Sequence, residues 1–121
     1  MKTIVSFRSY GNHPLGWMLH EDFKHVVIAV EDRGNWVEID YAVGVPIVRM
    51  IPGEAGDFDL KSWYHEQGYI TVERKQEINK QFNFNLFRGN IFVANCVGLV
   101  KAILGLNSWA VTPYQLYKRI R

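Results

Sequence analysis

A thiol hydrolase needs a cysteine held ready to lose its proton, a base to take that proton, and a polar group to orient the base. The single cysteine of this chain, Cys96, lies in Asn95-Cys96-Val97-Gly98-Leu99-Val100-Lys101-Ala102-Ile103-Leu104. Asn95 suits an N-cap, since its side-chain oxygen can accept a hydrogen bond from a free amide one turn in. Cys96 is then expected at the first helical position, where the positive end of the helix dipole favours thiolate over thiol. The thiolate is the nucleophilic form. A lone cysteine in an apolar helix is more often a small buried hydrophobe, so reactivity must be argued from its surroundings.

Those surroundings depend on a hairpin. Residues 25–30, His25-Val26-Val27-Ile28-Ala29-Val30, form a nearly continuous apolar run, the pattern of a strand covered on both faces. A turn containing Gly34 follows, and residues 36–41, Trp36-Val37-Glu38-Ile39-Asp40-Tyr41, return as an alternating strand. Glu38 and Asp40 are two residues apart and so share a face. A hairpin sets the start of one strand beside the end of the other, which brings His25 near Glu38 or Asp40. The expected roles are Cys96 as nucleophile, His25 as base and one of the two acids behind it.

The remaining elements can be placed around this pair. Residues 3–8 alternate with β-branched and aromatic side chains and read as a strand. Residues 9–22 read as a loop, with Gly11, Pro14 and Gly16, carrying Tyr10 and Trp17 as candidates to line a substrate cleft or to roof the core. A strand is expected over 46–51, a short helix capped by Asp57 or Asp59 and running to Gln67, and a further strand over 69–74. Residues 75–90 give no clear pattern. A long cysteine-bearing helix comes next, then a short one opened by Thr112-Pro113-Tyr114-Gln115, with threonine as cap, proline at the first position and glutamine at the third. The expectation is one α+β domain over 1–121, a mainly antiparallel sheet packed by a central cysteine-bearing helix.

A histidine opening an apolar strand, a polar residue on the next strand, and a later Asn-Cys-x-x-x-Val helix resemble the circularly permuted NlpC-type papain-like superfamily. The lecithin:retinol acyltransferase-like branch is the nearest, and small phage-encoded members are similar at residues 112–117. The resemblance covers residues 4–41 and 95–106, and rests on the order histidine, polar residue, cysteine. It implies a cysteine peptidase or amidase, with Cys96 as nucleophile, His25 as base and later acid, and Glu38 as orienter, with Asp40 in reserve. Backbone amides at the helix start, with Asn95 adjacent, would hold the oxyanion. Val97 and Gly98 stand where the acyltransferase-like branch has an acidic residue and a histidine, which argues against acyl transfer to lipids.

Composition bounds the alternatives. A net charge of +2, with 48% hydrophobic and 21% charged residues, describes an ordinary globular chain with no general basic field for nucleic acid. The phenylalanines of 82–87 therefore read as an alternating strand rather than a base-stacking surface, and Lys118, Arg119 and Arg121 as charges favoured at a helix C-terminus. His13, His20, His25 and His65 lack metal-ligand spacing, so neither metal nor cofactor is expected. No apolar stretch is long enough to span a bilayer, and residues 1–8 lack a signal-peptide core. One cysteine fits a reducing compartment, and the expected location is the cytoplasm, the host's for a phage protein. The expected partner is an amide- or thioester-containing substrate. A thioesterase or acyltransferase would use the same thiol, and the alternative class is a non-catalytic interaction module on the same fold, in which Cys96 is inert.

Overall fold

The structure is a computed structural model and describes residues 2–9, 23–42, 45–51, 59–75, 96–106 and 108–121. Five strands, β1 (Lys2–Arg8), β2 (His25–Asp32), β3 (Asn35–Ala42), β4 (Val45–Ile51) and β5 (Ile70–Lys75), are joined by three helices, α1 (Leu60–Glu66), α2 (Cys96–Leu104) and α3 (Pro113–Ile120). The strands form one sheet in the order β4-β3-β2-β1-β5, with every neighbouring pair antiparallel. This is the expected α+β arrangement, a mainly antiparallel sheet with packed helices.

Strand alternation divides the side chains between two layers. Val5 and Phe7 of β1 and Val26, Ile28 and Val30 of β2 pack with Val97, Val100, Ile103 and Leu104 of α2 and Leu116 and Ile120 of α3. Ile4 and Ala29 face the other way, against Leu60 and Tyr64 of α1. The central strands β1 and β2 are therefore covered on both sides, which is why residues 25–30 are apolar almost without interruption. On the α2 side, Phe7 meets the rings of Phe23 and Tyr117 edge-on, both at 5.5 Å between centroids, a favourable approach for aromatic quadrupoles.

Local sequence explains the connections. The β2–β3 hairpin turns through Arg33 and Gly34 at φ 52° and 82°, the two positive values that a two-residue turn matched to strand twist requires. Of the two candidate caps for α1, Asp59 holds the position and accepts from the Ser62 amide, while Asp57 lies outside the described residues. Thr112 and Gln115 form the reciprocal capping box at the start of α3, with Pro113 in the first turn. The cysteine helix is shorter than expected: α2 has nine residues and α3 has eight. Gly105, at φ 63°, ends α2 in a left-handed cap, with its amide bonded to Ala102 and that of Leu106 to Lys101. Residues 76–90 of the segment without a clear pattern lie outside the described residues, as do Tyr10, Trp17 and Asn95, and Lys75 is the last residue of β5.

Candidate functional site

The hairpin register decides which acid meets His25. Ile28 pairs with Ile39 and Ala29 with Glu38. Carrying that ladder toward the start of β2 sets Asp40 opposite Val27, one diagonal step from His25. Glu38, opposite Ala29, is four residues along β2 from His25, about 13 Å at the rise of an extended strand. His25 Nε2 accordingly lies 2.5 Å from Asp40 Oδ1, and both residues are buried. Glu38 instead accepts from Tyr64 Oη at 2.5 Å and from Arg49 at 2.7 Å. Of the two acids named from sequence, Asp40 rather than Glu38 bonds His25. Diagonal reach belongs to Asp40, and Glu38 is committed to α1 and β4.

Electrostatics join two of the sequence-derived residues, His25 and Asp40. Burial favours the neutral form of His25, but hydrogen bonding and charge from Asp40, together with the charge of Cys96, outweigh it, and the imidazole is raised from 6.5 to about 9. Burial likewise opposes ionisation of Asp40, yet its bond to His25 and the charges of His25, Arg8 and Arg49 hold its carboxyl below the usual range. Arg49 reaches across the two acids, 2.7 Å from Glu38 and 3.9 Å from Asp40. Its side chain is half exposed, so solvent screens much of that attraction. The Tyr64 phenol is pushed well above its ordinary value, first by burial and then by the Glu38 carboxylate that accepts its proton in the hydrogen bond.

Cys96 approaches from the other layer. By strand alternation His25, Glu38 and Asp40 point toward α1, whereas Cys96 belongs to the cluster between the sheet and α2. His25 is the first residue of β2, and the structure shows no hydrogen bond between its ring and Cys96. Asp40 occupies Nε2. Cys96 is 8% exposed. It begins α2, whose first amides have no carbonyl partners within the helix.

No family model, curated protein or solved structure matches this chain. The functional reading therefore rests on its own residues.

Three residues around the site were not anticipated from sequence. Arg8 pairs with His25 across the β1–β2 ladder and donates to Tyr69 Oη at 3.3 Å. Its position at the end of an alternating strand was the available signal. Arg49 could have been found from pairing of 46–51 with the strand bearing Glu38, since the two residues are register partners. Tyr64 carried no comparable signal, because nothing local aims a helix tyrosine at a carboxylate on a distant strand. His65 is on the exposed side of α1, with Nε2 2.7 Å from Thr71 Oγ1, while His13 and His20 lie outside the described residues. Among the described residues no cluster of three metal-ligating side chains occurs, and no helix is long and apolar enough to cross a membrane.

Proposed function

We propose that this protein is a cysteine hydrolase of the peptidase or amidase type, with Cys96 as nucleophile, His25 as acid and base, and Asp40 as orienter. The observation that carries the reading is the buried His25–Asp40 pair, with Asp40 Oδ1 2.5 Å from Nε2; the proposal adds the chain's one thiol, at the start of α2. The resemblance to permuted papain-like enzymes implies the same chain order of histidine, polar residue and cysteine, with Glu38 first and Asp40 in reserve as the polar residue.

In the proposed step the Cys96 proton passes to Nδ1, giving an imidazolium that the Asp40 carboxylate stabilises. The thiolate attacks the carbonyl carbon of the substrate, and the π electrons move to oxygen. Amides at the start of α2 are suited to stabilise that oxyanion. Collapse expels the amine, which takes the proton from Nδ1 and leaves a thioester on Cys96. The neutral imidazole then removes a proton from water, hydroxide adds to the thioester, and the carboxylic acid departs as the thiol is restored. Asp40 remains ionised throughout and fixes the ring.

The reading is tested by incubating the protein with p-nitrophenyl acetate. The expected result is a stoichiometric burst of nitrophenolate, with the acetyl group found on Cys96 by mass spectrometry and neither signal in Cys96→Ala. A burst retained in Cys96→Ala, or acetylation elsewhere, would sink it.

A further inference from the structure

Trp109 is 98% exposed, an unusual position for so large an apolar side chain in a chain that buries its other described aromatic residues at least in part. Its presentation is built. Lys101 of α2 donates its ammonium protons to the carbonyl oxygens of Ser108, at 2.7 Å, and Ala110, at 2.9 Å. The Ala110 amide donates in turn to Ser108 Oγ at 3.2 Å, and Ala110 is buried. Both chain neighbours of Trp109 are thus tied down while the indole stands out in solvent. Ordering entropy for this segment is already spent, which is what makes an anchor residue efficient in binding.

Among the described residues lining the groove beside the indole, the charged ones are both cationic. Trp109 borders an open groove with Ser108, Ala110, Gln115, Lys118 and Arg119. Lys118, Arg119 and Arg121 are all exposed, and no acidic residue follows Glu77 in the chain. The formal charge of +2 therefore conceals a cationic C-terminal part balanced by an acidic N-terminal one. We infer that Trp109 with Lys118 and Arg119 is a docking surface for an acidic segment of a partner protein, the indole entering an apolar recess and the cations meeting carboxylates.

Two other anionic partners fit less well. A single-stranded nucleic acid needs a succession of aromatic faces. Here Lys118 lies over the Tyr114 ring, 4.8 Å from its centroid, and Arg121 over that of Tyr117, at 5.7 Å, so among the described residues 108–121 the indole is the ring left open for stacking. A lipid surface needs apolar area to insert. The apolar side of α3, Pro113, Leu116 and Ile120, is spent in the core, which leaves Trp109 and Val111 as the exposed large apolar side chains among the described residues 108–121. Tryptophan and arginine are the residues that most often dominate protein interfaces, from small and well-placed clusters.

The test is selection of a displayed library of random dodecapeptides on the wild-type protein, with counter-selection on Trp109→Ala. The expected outcome is enrichment of peptides bearing Asp or Glu beside an apolar residue. Their binding should weaken at least about tenfold in Trp109→Ala, as for an interface anchor. It should weaken comparably in Lys118→Glu/Arg119→Glu, and weaken with added salt as exposed charges are screened. All these positions are exposed, and each variant's far-ultraviolet circular dichroism should match the wild type. Enrichment without acidic residues, or binding indifferent to Trp109→Ala, would overturn the inference. So would Trp109-dependent binding only to phosphatidylserine-containing vesicles or to oligo(dT).

Discussion

His25→Gln is expected to slow acetylation of Cys96 by p-nitrophenyl acetate by about two to four orders of magnitude, the usual worth of a positioned acid–base group. Glutamine is the informative replacement because its amide can still donate to Asp40, so the buried carboxylate keeps a partner and the fold is preserved. It cannot accept a proton at ordinary pH. Glu38→Gln provides the contrast. Glu38 serves Tyr64 and Arg49 rather than His25, and its replacement should change the acylation rate by less than about tenfold. Stopped-flow measurement of the nitrophenolate burst decides between these outcomes. Equal losses in both variants would assign the effect to disturbance of the polar layer beneath α1, and an unchanged rate in His25→Gln would remove His25 from the chemistry.

Asp40→Asn should be the most costly change to the buried polar pair, with a cost that depends on pH. The pKa of His25 rises from 6.5 to about 9 on folding. Its contribution to stability is therefore complete below about 6.5, declines as pH rises through 9, and is absent above. Asp40 is shifted downward, so its contribution is present above the ordinary carboxylate range and lost only as pH falls through its folded value. The pair accordingly stabilises most between about pH 4 and 6.5. Removing the carboxylate there should cost about 3 kcal/mol, the lower end for breaking a buried ion pair, because the imidazole can discharge itself. Urea unfolding at pH 5.5 and at pH 9.5 would show the difference between wild type and variant shrinking at the higher pH. The same difference at both would mean that Asp40 acts through shape alone.

Legibility in the sequence followed the range of the forces involved. The strands, the hairpin and the caps at Asp59 and Thr112 follow from alternation, turn chemistry and side-chain-to-backbone bonds, which act over a few residues. Hairpin geometry likewise brought His25 to an acid of β3, Asp40. The choice between Glu38 and Asp40 needed the register, and two carboxylates two residues apart look alike until Ala29 is known to oppose Glu38. Tyr64 lies 26 positions from Glu38 in the chain, beyond any local pattern. The length of α2 was overestimated because apolar residues continue around Gly105, and the left-handed cap there outweighs their helical periodicity.

The most direct test of the proposed thiol–imidazole pair is the rate of Cys96 alkylation by iodoacetamide from pH 5 to 9, in wild type and in His25→Gln. An ordinary thiol labels slowly until pH nears its reference value of about 8.5. The pair predicts wild-type labelling that stays rapid at pH 6 and falls to the ordinary profile in His25→Gln. Identical profiles in the two proteins, or labelling only after unfolding, would contradict it and make Cys96 a packing residue of α2.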